Sequence, residues 1–76
     1  MSPDITVRAL ADLARFAPPD GRLEIASGET VGAVAARLGL DPARIGTALV
    51  GGRPVEPTTP LSPGDELVFV PPITGG

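Results

Sequence analysis

The chain contains no cysteine, histidine, tyrosine or tryptophan. Its basic residues are all arginine, at positions 8, 15, 22, 37, 44 and 53, so it has no lysine either. Each absence removes a class of chemistry. Without cysteine there is no disulfide, no zinc–thiolate site and no thiol nucleophile. Without histidine the commonest general base and metal ligand is missing. Without lysine, Schiff-base catalysis and a phosphate-loop lysine are excluded. The arginines form no run, the formal net charge is −3, and only two phenylalanines are present. Nucleic-acid binding calls for a clustered basic face, often with aromatic stacking platforms, and this composition argues against it. A mildly acidic surface suits solubility and also suits a basic protein partner. No apolar run approaches the roughly 20 residues of a membrane span. The opening stretch "MSPDITVRAL" lacks the basic-then-apolar pattern of a secretory signal. The expectation is a cytoplasmic protein that binds neither membrane nor nucleic acid.

What the 76 residues do contain is patterned apolar sequence. A chain of this size makes one small domain, burying roughly 60% of the surface its unfolded form exposes. "DITVRAL" alternates, with Ile5, Val7 and Ala9 on one side, as a half-buried strand does. "ADLARFAPPDG" has room for one or two helical turns, with Leu10, Leu13, Ala14 and Phe16 as its apolar positions, before the Pro-Pro-Asp-Gly turn. "RLEIA" alternates again and pairs with the first strand. Thr30 is placed to cap a helix whose Val31, Val34, Ala35 and Leu38 make one apolar face, and Gly39 is placed to end it. Gly32 weakens this helix by roughly 1 kcal/mol relative to alanine, so packing must hold it. Asp41-Pro42 opens a further short turn. Gly51-Gly52 suits a tight hairpin turn after Ala48–Val50, and Pro54 and Pro57 keep the returning strand short and at an edge. After a turn at Ser62–Asp65 comes Glu66–Val70, apolar on both faces, which predicts an inner strand. Phe69, its largest apolar residue, is expected in the core.

The order β, β, α, β, short β, β predicts an α+β domain. One main helix lies on one face of a mixed sheet of about five strands, with the first and last strands parallel at its centre. Three stretches carry a family resemblance: "ETVGAVAARLGL", "ALVGGRPVEPTTPLSPGDELVFVPP" and the final "PPITGG". With these, the chain resembles the ThiS/MoaD sulfur carriers of the β-grasp, ubiquitin-like fold, and the ending is similar to that of the molybdopterin synthase small subunit. The resemblance implies a β-grasp domain over 1–70 and a flexible diglycine tail over 71–76. It implies a non-catalytic carrier whose Gly76 carboxylate is adenylated by an E1-like enzyme, using ATP with Mg, and converted to a thiocarboxylate. The implied acceptor is the large subunit of molybdopterin synthase. Related carriers serve thiamin, cysteine, thionucleoside or secondary-metabolite biosynthesis, and a ubiquitin-like modifier joined through Gly76 to substrate lysines is the other alternative.

The tail's composition suits such a role on physical grounds. Six residues from Pro71 span at most about 20 Å, enough to thread a partner's channel. Gly75 and Gly76 have no side chains, so a narrow channel can close around them. Pro71 and Pro72 lack N–H groups, stop the strand and favour an extended spacer. Ile73 is a candidate anchor or a surface residue folded back on the body, and Thr74 a candidate hydrogen-bonding group. The sheet face away from the helix is expected to dock partners.

Overall fold

The computed structural model describes residues 3–72. Among these, five strands form one mixed sheet: β1 Asp4–Ala9, β2 Arg22–Glu24, β3 Thr47–Val50, β4 Arg53–Val55 and β5 Glu66–Val70, in the order β2-β1-β5-β3-β4. Strands β1 and β5 are parallel and central, and every other pairing is antiparallel. One α-helix, α1, covers Val31–Arg37. This is the β-grasp architecture, with the expected inner last strand and proline-bearing edge strand.

The core follows from strand alternation. Ile5, Val7, Leu67 and Phe69 point to the helix side and are almost wholly buried, with Ala48 beside them. Val31, Val34 and Ala35 of α1 close over them, while Leu38 is only half-buried. Leu13, Ile25, Leu40 and Leu61, from the connections, complete the cluster. No polar or charged side chain is buried among the described residues.

Helix α1 is short and needs its first-turn N–H groups satisfied. The Ala33 N–H donates to Thr30 Oγ1 at 3.2 Å, the expected cap. Val31 and Gly32 donate to the carbonyls of Thr59 (3.0 Å) and Pro57 (2.8 Å), so the segment between β4 and β5 straps the helix start. A Cβ on Gly32 would meet the Pro57 carbonyl oxygen at 3.2 Å. The glycine that weakens the helix locally is thus the one that lets the strap approach. At the hairpin, Gly51 and Gly52 have φ of 59° and 82°, the positive pair that a primed turn requires.

One connection departs from expectation. Residues Ala11–Phe16 form a 3-10 helix, and Leu10 precedes it instead of lying on its apolar face. Leu13 is buried, Phe16 half-buried and Ala14 exposed. Leu10 is 48% exposed, the most exposed large hydrophobic residue among those described. The cause is continuation of β1: the Leu10 N–H donates to the Phe69 carbonyl at 3.0 Å, so the alternation carries Leu10 to the outer face. The chain then turns through Ala11 at φ 54°, a left-handed conformation that costs a residue with a Cβ about 1 kcal/mol.

Arg37 ends α1 by clipping the preceding loop. Its guanidinium donates to Glu29 Oε2 at 2.8 Å and to the Glu24 carbonyl at 3.0 Å. The hydrogen bond from Arg37, reinforced by the Ala26 N–H, holds the Glu29 carboxyl below its ordinary 4.5. A depressed folded-state value stabilises the fold above the ordinary value, and that contribution is lost as pH falls through the lower folded one. Glu29→Gln is therefore expected to cost up to about 1 kcal/mol at neutral pH, as a partly exposed ion pair does. The difference from the parent should shrink below pH 4.5 in urea titrations followed by circular dichroism.

Candidate functional site

Among the described residues, no helix or strand covers the sheet face opposite α1. Register gives its rows. Glu24 lies opposite Asp4, then Arg22 and Glu66 flank Thr6. The next row runs Arg8, Val68, Leu49, Pro54 across four strands, and the last places Val70 opposite Thr47 with Leu10 at its flank. The face is graded: charged and polar at the end where β1 starts, apolar at the end where β5 stops. Val68, Val70 and Leu49 are half-buried and lie outside the core cluster of the described residues. Among the described residues, strand β5 therefore has only one face fully covered. Its sequence is apolar throughout because Leu67 and Phe69 build the core while Val68 and Val70 build this surface.

The tail leaves from the apolar end. Strand β5 stops at Val70, and Pro71 and Pro72 follow outside the sheet. Its root passes Asp12 on one side and Ala43 and Arg44 on the other, so the two short 3-10 segments, Ala11–Phe16 and Pro42–Arg44, form its banks. On the helix side a groove of about 360 Å³ lies between α1 and the β3–β4 hairpin, reaching Ile45 and Gly46 next to the root. The Gly46 N–H donates to the Val70 carbonyl at 2.8 Å, the last rung before the chain departs.

Of the residues singled out in sequence, Pro71 and Pro72 are where expected, ending the strand. Ile73, Thr74, Gly75 and Gly76, with their expected roles as anchor, hydrogen-bonding group and reactive lead, lie outside the described residues. Asp65 is a turn residue: its carboxylate accepts the Ser62 N–H at 2.8 Å while its own N–H donates to the Ser62 carbonyl at 3.1 Å. Arg37 is engaged in the loop clip, Arg8 stands on the open sheet face, and Arg53 is exposed at the edge. In sequence Leu10 was read as part of a helix face, and Gly46 went unnoticed. Leu10 would have been found only by extending β1 one residue beyond Ala9.

The ThiS family model matches residues 7–76. The chain belongs to the ThiS family. Solved structures agree on the fold. Small archaeal modifier protein 1 (SAMP1) of Haloferax volcanii superposes with a TM-score of 0.71 at 26% identity, covering 96% of this chain and 99% of that one. A second crystal structure of the H. volcanii modifier gives 0.72 at 22% identity, over 92% and 98% of the two chains. A ubiquitin from Caldiarchaeum subterraneum gives 0.64 at 25% identity over the full length of both. No protein of curated function matches the chain in sequence. This ThiS-family protein thus shares the ubiquitin-like fold of these structures. Among its described residues no helix is long and apolar enough to cross a membrane.

Proposed function

We propose that this ThiS-family protein is a non-catalytic sulfur carrier whose reactive group is the Gly76 carboxylate, and that it serves as the small subunit of molybdopterin synthase. The observation that supports this most directly is the meeting, at one end of the sheet, of an open apolar surface and the root of the tail. Exposed apolar area of this kind marks a protein interaction site. Leu10, Val68, Val70 and Leu49 would bind the partner while the tail from Pro71 enters its active site. The chain has no histidine, cysteine or lysine, which suits a carrier whose partners supply the catalytic groups.

A carboxylate is a poor electrophile and needs a leaving group. In the first step a Gly76 carboxylate oxygen attacks the α-phosphorus of ATP, held with Mg in an E1-like enzyme. Pyrophosphate leaves and a mixed anhydride with AMP forms. A sulfide-level sulfur then adds to the carbonyl carbon and AMP departs, leaving a thiocarboxylate. The side-chain-free Gly75 and Gly76 let the partner approach that carbon. The Pro-Pro-x-x-Gly-Gly ending favours the molybdopterin pathway over the thiamin, cysteine, thionucleoside and secondary-metabolite carriers. Incubation with a cognate E1-like enzyme, ATP and a sulfur source should raise the intact mass by the exchange of one oxygen for sulfur, localised to Gly76 by fragmentation. An unchanged mass under conditions that load another carrier would refute the proposal.

The second reading is a protein modifier, favoured by the similarity to the H. volcanii modifier. It shares the adenylation step and diverges only when a substrate lysine, instead of sulfur, displaces AMP. Covalent adducts through Gly76 on other proteins would select it. The chain has no lysine and so cannot extend lysine-linked chains on itself.

A further inference from the structure

Gly46 differs from the six described glycines that have positive φ. Gly21, Gly28, Gly39, Gly51, Gly52 and Gly64 have positive φ, and a Cβ at five of them would meet nothing within 4 Å. They are glycine for their backbone conformation. Gly46 has no positive φ and is exposed at the surface, so neither conformation nor burial demands glycine there. A Cβ on Gly46 would sit 2.5 Å from Pro72 Cα, 2.7 Å from Pro72 N and 2.8 Å from the Pro71 carbonyl oxygen. Those are impossible separations, and all three atoms are backbone, so no rotamer change relieves them. The Gly46 N–H also holds the Val70 carbonyl at 2.8 Å. The residue therefore touches the chain on both sides of the point where strand becomes tail.

We infer that Gly46 is a positioning residue that sets the direction in which the tail leaves the domain, a role that rests on the tail being the reactive element. Thr47 shares the open face with Val70. Gly46, one residue earlier, borders the groove beneath α1, so the missing side chain is on the helix side. The root of the tail lies in that gap. Prolines at 71 and 72 make the root stiff, so a displacement there is carried outward instead of being absorbed locally. Activation needs the carboxylate within about 3–3.5 Å of the atom it attacks, and a misplacement of about 1 Å can cost on the order of 100-fold in rate. Gly46 is off the apolar docking face, so its substitution leaves the surface that binds the partner intact.

The test compares the parent, Gly46→Ala, Pro71→Gly/Pro72→Gly and the triple variant in pyrophosphate release by the E1-like enzyme, with thermal unfolding and NMR shifts of each. Gly46→Ala is expected to lower kcat by about 10-fold or more, with KM for the carrier within about twofold of the parent. Its NMR shifts should change from Gly46 outward through residues 70–76 while core shifts stay put. In the Pro71→Gly/Pro72→Gly background, where the root can yield, the same substitution should cost less than about threefold. Equal kcat for parent and Gly46→Ala would overturn the inference. So would an undiminished penalty in the glycine background, or core-wide shift changes, since either would mark a general defect of the fold. A parent protein that is not activated at all would instead refute the carrier and modifier readings, and the inference would fall with them.

Discussion

A protein lacking Gly76 is expected to acquire no sulfur and to unfold at the same temperature as the full chain. One residue of extended chain spans about 3.3–3.6 Å. Removing Gly76 leaves a carboxylate on Gly75, chemically equivalent but short by the whole of a typical reacting distance. Under the proposed docking of the sheet face the domain is held in place and cannot advance to compensate. The core should not respond, because every core residue lies between Ile5 and Phe69. Intact mass after incubation with the E1-like enzyme, ATP and a sulfur source, set beside a thermal scan, reads both effects. Sulfur found on Gly75 of the shortened chain would show that reach is unimportant and would sink the proposed role of the tail.

The second large effect is one of stability. Phe69→Ala is expected to cost about 3–5 kcal/mol, the usual cost of emptying a fully buried aromatic site. Phe69 has no exposed surface and pairs with Ala9 on one side and Ala48 on the other, so its flanking positions are small and cannot fill the space. Ordinary stability for this length is about 4–11 kcal/mol, so the variant would keep little of it. Urea unfolding followed by circular dichroism should show a midpoint near zero denaturant or no folded baseline. Val68→Ala, one residue away on the open face, should cost about 1 kcal/mol or less and should instead weaken partner binding. Equal destabilisation by the two would contradict the assignment of faces.

Where a residue's role is local, the sequence was readable. Thr30 and Asp41 cap because their side chains reach backbone N–H groups two or three residues on, and both do so. Gly51-Gly52 turns because of its own φ angles, and Pro54 confines β4 to an edge because it has no donor. Even the central place of Glu66–Val70 could be read, from an apolar run with no polar alternation. Roles set by distant neighbours could not. Leu10 was assigned to a helix face because Leu10, Leu13 and Ala14 have helical spacing, whereas pairing with β5 decided its side. Of the two apolar sets of β5, the one holding Phe69 was expected in the core from its size alone, and it is there. Gly46 looked like one more loop glycine, since its partner is 26 positions later in the chain, at Pro72. The candidate site was legible as a tail beside an open sheet face, and the banks of the tail's root were not.

The placement of β5 also bears on how the protein is made. The middle strand of the sheet comes last in chain order among the five, and both β1 and β3 wait for it to supply their hydrogen-bonding partner. A nascent chain that has not reached Glu66 holds two separate hairpin-like pieces, β1 with β2 and β3 with β4, and no continuous sheet. Such pairs are marginal alone in water. The sheet therefore cannot close until Glu66–Val70 has been synthesised, and a product cut short before it exposes unpaired strand edges instead of a stable body.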